Sequence, residues 1–386
     1  MKKRVLFITP ELQYTSSSAA IRNRLLLEGF SEHFEVDVLE VKRERNADKH
    51  FDATVFADKY YQIECLRTEA LNKQKHVNVS RRLFAMIKNT IQKVIPDRIY
   101  LLKKSMPDDV IFDDYDYFIS SSDPKGIHNY VIRNVPKNKH IIQYWGDPWY
   151  DDISYGSGYL VKFLEYILLQ RSSLIIYNSG KTLEKQKNIY PSQKNKMCLL
   201  PRGISSQQVK LAISNNINIP SRLPNELRLI YAGDFHSNIR NIRPLVEACE
   251  KLNLKLSIYG NGEVLDTKSK CINFHDRISS SELSKISEGF TLDVIIMNVT
   301  GGQLPGKIYD SLISNRSVLL ILDGDFSIKD IPCRERFIHC DNNVSDIIKV
   351  LTKTESLSKD FINPEKLTSV EIKNLMTPII KKLEEL

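Results

Sequence analysis

From near its start to past residue 320, the chain alternates short runs of β-branched and aliphatic residues with longer stretches of helical periodicity. Strands are expected at Arg4–Thr9, Val36–Val41, Tyr117–Ser120, Lys139–Gln143, Leu174–Tyr177 and Met197–Leu200. A second series falls at Leu229–Ala232, Leu254–Tyr259, Cys271–Phe274, Val294–Asn298 and Val318–Leu322. Helices are expected between them, at Ala19–Phe30, Lys162–Gln170, Pro244–Lys251 and Ser281–Glu288, the last with Ser280 as N-cap. Nearly continuous apolar strands separated by helices require parallel sheets covered on both faces. Two such series in tandem mean an α/β chain with two Rossmann-like domains.

The domains can be outlined from the sequence. Residues 1–203 form the first, with a basic helical insertion at about 45–107 in which no clear strand is read. The Pro- and Asn-rich stretch 204–226 reads as a linker, 227–362 as the second domain, and 363–386 as a closing helical segment. In that segment Ile372, Leu375, Met376, Ile379, Ile380 and Leu383 make one apolar stripe. No strand follows it, so the stripe is expected to pack on residues of the 1–200 region, with Pro364 at the bend.

Composition excludes several classes. With 386 residues, 42% hydrophobic and 26% charged, disorder and coiled coil are ruled out. No apolar run approaches the ~18 residues of a membrane-spanning helix. Val5–Ile8 is too short for a signal peptide, so a cytoplasmic protein is expected. The six cysteines have no metal-ligand spacing and read as reduced thiols. The net charge of +8 is unevenly placed: residues 73–104 hold nine Lys and Arg against the single acid Asp97. There Leu83, Phe84, Ile87, Ile91, Val94 and Ile95 share a helical face, with Arg81, Arg82, Lys88 and Lys93 around the rest. That face either docks on the first domain or lies on an anionic membrane surface. No nucleic-acid motif accompanies it.

Four stretches carry chemistry. Gly301-Gly302-Gln303-Leu304-Pro305-Gly306-Lys307 follows a strand and opens a helix, expected at Ile308–Ser314. Glycines let backbone approach an anion, helix-start N–H groups bind phosphate, and Lys307 adds charge. The spacing also matches a Walker A loop, but Ile308 stands where Mg²⁺ binding needs Ser or Thr. Tyr231-Ala232-Gly233-Asp234 with Arg240, and Tyr259-Gly260-Asn261-Gly262, are further glycine turns at strand ends, where open parallel sheets bind ligands. In the first half, Trp145-Gly146-Asp147-Pro148-Trp149 holds both tryptophans, read either as a hydrophobic plug or as a sugar-stacking platform. Ser120–Pro124 precedes His128, a candidate base near strand ends. Asp114-Tyr115-Asp116 and Asp323-Gly324-Asp325 read as turns rather than metal ligands.

Together these stretches resemble the GT-B nucleotide-sugar glycosyltransferases, specifically glycosyltransferase family 4 of the bacterial surface-polysaccharide type. Ser120–Pro124 with His128, Asp147-Pro148-Trp149, Asn178-Ser179 and Leu200–Ile204 are similar to its N-domain signatures. Leu304–Leu312 is similar to its donor loop, with Asp310 in place of the glutamate that binds ribose hydroxyls.

The resemblance implies two Rossmann-like domains facing a cleft, the closing helix crossing back to the first. It implies retaining transfer of a sugar from a nucleotide-sugar donor, as co-substrate, to a glycan or lipid-linked acceptor. No other cofactor and no metal are implied. His128 and Asp147 become the expected catalytic pair. Gly233, Arg240, Gly260, Arg277, Gly302, Gly306, Lys307 and Asp310 become the donor set, and Ser16, Arg22, Trp145 and Trp149 the acceptor set.

Three departures stand out. Gly302 replaces the first of the family's paired acids, Thr15–Ala20 replaces a glycine-rich loop, and Gly146 replaces the usual arginine before Asp-Pro-Trp. A nucleotide hydrolase using Gly301–Lys307, and a non-catalytic binding protein, remain as alternatives.

Overall fold

A computed structural model describes residues 2–14, 17–42, 49–64, 105–152, 158–214, 227–263, 265, 267, 269–352 and 364–386. Ser16, the basic stretch 73–104 and most of the 204–226 linker lie outside them. The described residues fall into two compact units, one of residues 1–205 and 372–386, the other of 206–371.

The first unit is built on a seven-stranded parallel sheet in the order β3-β2-β1-β4-β5-β6-β7. Its strands are β1 (Arg4–Thr9), β2 (Glu35–Lys42), β3 (Lys59–Glu64), β4 (Tyr117–Ser121), β5 (His140–Trp145), β6 (Leu174–Tyr177) and β7 (Met197–Leu199). Helices α1 (Ser18–Ser31), α2 (Gly126–Asn134), α3 (Tyr159–Arg171) and α4 (Gly180–Ile189) connect them. β3 corrects the expectation of a strandless insertion. Lys59–Glu64 mixes the polar Lys59, Gln62 and Glu64 with Tyr60, Tyr61 and Ile63, lies at the sheet edge, and pairs in register with Asp37–Lys42.

The second unit begins with α5 (Ser206–Ser214), a helix within the stretch read as linker. Its six-stranded parallel sheet runs β10-β9-β8-β11-β12-β13. The strands are β8 (Arg228–Ala232), β9 (Lys255–Tyr259), β10 (Ile272–His275), β11 (Leu292–Ile296), β12 (Ser317–Leu322) and β13 (Ile338–Asp341), the last unread in the sequence. Its helices are α6 (Arg243–Leu252), α7 (Ser280–Ser287), α8 (Lys307–Ser311), α9 (Val344–Thr352) and α10 (Pro364–Ser369). The N-cap of α7 is Ser279 rather than Ser280, because Glu282 sits at the spacing that closes a capping box with Ser279. α8 is shorter than expected. In both sheets the strand order reverses beside the first strand, between β1 and β4 and between β8 and β11. Ligands bind at such switch points, outside the carboxyl ends of the strands.

The closing helix α11 (Ile372–Glu384) belongs to the first unit. Ile372, Met376, Ile379, Ile380 and Leu383 are buried in one cluster with Leu25, Leu26 and Phe30 of α1. The crossing helix that the stripe and the resemblance implied is therefore present. Gly29 makes the approach possible: a Cβ there would meet Met376 Cε at 2.7 Å. Tyr117 donates its hydroxyl hydrogen to the Leu383 carbonyl, tying the helix end to β4. Among the described residues no helix is long and apolar enough to cross a membrane.

Candidate functional site

In the second unit the chain leaves β8 through Gly233 and leaves β9 through Gly260, two adjacent strand ends. Gly233 N–H donates to Tyr259 O at 2.8 Å. A Cβ on Gly260 (φ +154°) would stand 2.1 Å from the Gly233 carbonyl oxygen, so only glycine lets the two turns lie this close. Asp234 then organises the rim. One oxygen accepts from Asn261 N–H at 3.1 Å, the other from Arg277 Nη1 at 3.2 Å.

Arg240 is aimed by Asn298, just beyond β11, whose Oδ1 accepts from both Nε (3.2 Å) and Nη2 (2.8 Å). Lys307, at the start of α8, donates through Nζ to the Ala232 carbonyl at the end of β8. Burial pulls the Lys307 ammonium down to about 8. Asp310 opposes the shift, and Arg240 adds to it, which places the two cations within one field.

The switch point of this sheet thus gathers Gly233, Gly260, Arg240, Arg277 and Lys307, with Asp310 close enough to act on Lys307. Gly306 accepts from Tyr309 N–H and Asp310 N–H at the α8 start, and Gly302 lies half-buried in the loop before it. Asp234 and Asn298 were missed in the sequence, because neither their type nor their spacing distinguishes them from ordinary turn residues.

In the first unit a second constellation forms at the ends of β4 and β5. Asn23 of α1 donates to Thr9 Oγ1 at 2.8 Å and accepts from Ser121 Oγ at 2.6 Å, closing the switch point. Arg22 donates to the Ser122 carbonyl and lies over the Tyr144 ring, 5.5 Å from its centroid. His128 is fully buried, with Nδ1 2.7 Å from Ser120 Oγ and its ring 4.2 Å from that of Trp145. Its Nε2 has no hydrogen-bond partner among the described residues. Burial, then Lys125 and Arg22, hold His128 well below the usual histidine range, so it is neutral.

Lys125, 2% exposed, bonds Asp152 Oδ2 at 2.6 Å and Asp123 Oδ1 at 3.1 Å. Burial opposes its charge, but the two carboxylates outweigh burial and raise its pKa. Asp147 is pushed up to about 7, by burial first and by Asp123 second, against Lys125 and Arg22. Glu165 of α3 holds the turn in place, accepting from Trp149 N–H (3.2 Å), Tyr150 N–H (2.7 Å) and the Tyr190 hydroxyl (2.9 Å).

The tryptophans correct an expectation. Trp145 is 0% and Trp149 1% exposed, packed in a cluster with Val161, Leu168 and Tyr177. Their rings fill the core beneath the Asp147 turn and cannot stack on a sugar from solvent, so the plug alternative describes them. Asp323-Gly324-Asp325 sits in a turn, where Asp323 accepts from Gly324 N–H and Asn342 Nδ2, whereas Asp114 ends a short 3-10 helix and Asp116 accepts from Arg4 N–H at 2.8 Å. Among the described residues no group of His, Cys, Asp and Glu is placed to hold a metal ion.

No protein-family model matches this sequence, and no curated protein does. Solved structures do match over the whole length. The N-terminal domain of Candida albicans trehalose-6-phosphate phosphatase aligns at TM-score 0.60 and 11% identity, covering 100% of this chain and 97% of that one. Anabaena HepE, solved with UDP and glucose, aligns at 0.58 and 9%, covering 100% of both. The lipopolysaccharide outer core galactosyltransferase WaaB aligns at 0.56 and 10%, covering 99% of both.

The chain has the GT-B fold. Its GT-B strand order places the Gly233–Gly260 turns and the Arg240, Arg277 and Lys307 cations at one switch point, and Arg22, His128 and Asp147 around the other.

Proposed function

We propose that this chain transfers a sugar from a nucleoside-diphosphate sugar, held by the second unit, to a growing glycan or lipid-linked acceptor engaged by the first. The observation that carries the reading is the meeting of Arg240, Arg277 and Lys307 with two obligatory glycines at a sheet's switch point. A nucleoside diphosphate leaves with growing negative charge on its phosphates, and fixed cations in a partly desolvated site stabilise that charge as it develops. This needs no divalent ion, so transfer is proposed to be metal-independent, and retention of configuration follows the family 4 resemblance. HepE, whose structure holds UDP and glucose, supports a nucleotide-sugar donor. His128, kept neutral, or Asp147, with its raised pKa, would position the acceptor hydroxyl or take its proton.

A panel of UDP-, GDP-, CMP- and dTDP-sugars, assayed by calorimetry and by nucleotide release in EDTA, tests the reading. Binding and release with one donor class are expected. Release only with Mn²⁺ would overturn metal independence, and binding of no donor would overturn the donor site. Gly302, where the resembled family carries an acid, favours a second reading: a nucleotide-sugar binding protein without turnover. Donor binding with no release or transfer over the whole panel would establish it. The hydrolase alternative is weakened by Ile308, which is fully buried where Mg²⁺ would need a hydroxyl.

A further inference from the structure

Helix α3 (Tyr159–Arg171) covers the sheet beside the Asp147 turn, and its outer face is unlike that of a water-facing helix. Tyr159 is 91% exposed, Phe163 58%, Leu160 51% and Ile167 39%. At about 100° per residue these four fall on one side, with Tyr166 and Gln170 among them. The cations Lys162 and Arg171 flank that side on its two edges, and Lys196 donates to the Gln170 carbonyl at the helix end (3.0 Å). The helix has a single acid, Glu165, which is turned inward, fully buried and bonded to Trp149, Tyr150 and Tyr190. The outward face is therefore aromatic and aliphatic, edged by positive charge, and free of carboxylates.

We infer that this face of α3 seats the protein on an anionic lipid bilayer, with Tyr159, Leu160, Phe163 and Ile167 entering the headgroup–acyl boundary. Amphipathic helices that lie in a membrane interface combine an apolar, aromatic-bearing side with Lys and Arg at its margins. Tyrosine is favoured at that depth because its ring is apolar and its hydroxyl stays hydrated. Charge complementarity selects the anionic bilayer as occupant. Cations at the margins favour phosphate headgroups, Lys162 on one edge and, on the other, Arg171, whose guanidinium also donates to the Pro136 and Lys139 carbonyls. No carboxylate on the outward face opposes them. The proposal is independent of sugar transfer, because it concerns a surface outside both switch points.

The test is co-sedimentation of the full chain with phosphatidylcholine vesicles, with and without about one-third phosphatidylglycerol, for wild type, Phe163→Glu and Tyr159→Glu/Phe163→Glu. Wild type is expected to bind the anionic vesicles, and the double variant to lose about tenfold or more in partitioning. Its thermal melt and its affinity for UDP should stay unchanged, since both positions face solvent. Equal partitioning of wild type and variants would overturn the proposal and assign any binding to another surface, such as the basic stretch 73–104. Failure of wild type to bind either vesicle, or a wild-type dimer by light scattering that Phe163→Glu dissociates, would overturn it as well.

Discussion

The guanidinium of Arg22 fills the place where a side chain on Gly146 would begin. A Cβ on Gly146 would lie 2.3 Å from Arg22 Nη1 and 2.6 Å from its Cζ. The guanidinium has little room to yield, being bonded to the Ser122 carbonyl and laid over Tyr144. Where the resembled family carries an arginine at this position, the present chain brings one in from α1.

Gly146→Ala should therefore cost about 1–3 kcal/mol of stability, and much less on an Arg22→Ala background. A double-mutant cycle by urea denaturation measures the difference. Equal costs in both backgrounds would show that the two residues do not compete for this space.

Lys307 gives the proposed donor site a pH dependence. Its folded pKa, about 8, lies below the unfolded value, so burying the charged form costs stability below pH 8. That cost is relieved as pH rises from about 8 toward 10.4. Phosphate binding runs the other way, because it needs the ammonium, so UDP affinity should fall as pH rises through 8. Lys307→Ala should lower affinity by about 1.5–3 kcal/mol at pH 7 and flatten this dependence. Calorimetry at pH 7 and 9 separates the outcomes, and a wild-type affinity in the variant would remove Lys307 from the site.

Asp147, with a folded pKa of about 7, works in the opposite sense. A raised carboxyl pKa favours folding at acid pH, so its contribution is lost as pH rises from about 4 to about 7. Asp147→Asn should be more stable than wild type at pH 8 by at least about 1 kcal/mol, and equal to it near pH 4. If Asp147 accepts the acceptor's proton, wild-type turnover should rise with pH through 7, and Asp147→Asn should be slow at every pH. An unchanged pH–rate profile in the variant would leave Asp147 a structural group.

Met376→Ala tests the closing helix. The side chain is fully buried against Gly29 and the α1 cluster, so about 2–5 kcal/mol should be lost. Urea unfolding followed by fluorescence measures it, and a loss below about 0.5 kcal/mol would mean that α11 is only loosely seated.

The central strands of both sheets could be read because each is a run of apolar residues needing cover on two faces, as Val5–Ile8 and Val318–Leu322 do. Of the four edge strands, β7 and β10 could be read as well, and the other two escaped for the converse reason. Lys59–Glu64 and Ile338–Asp341 lie at sheet edges, where polar residues such as Gln62 and His339 interrupt the apolar run. The glycine turns and cations of the donor rim were visible, since few positions require glycine or place arginine just past a strand. Asn298, Asp234 and Glu165 were not, because what they do depends on partners 58, 43 and 16 residues away. The tryptophans misled because an aromatic beside a proposed site reads alike whether its ring faces inward or outward.

The membership of α11 in the first unit bears on the order in which the molecule assembles. Residues 206–371 form one uninterrupted stretch and can complete their sheet as soon as they emerge from the ribosome. The earlier-made unit cannot, because the groove along α1 beside Leu25, Leu26, Gly29 and Phe30 stays uncovered until Ile372–Leu383 has been synthesised. The half of the protein that is translated first is thus the half that finishes folding last, and in the interval it presents an apolar surface that a chaperone would recognise.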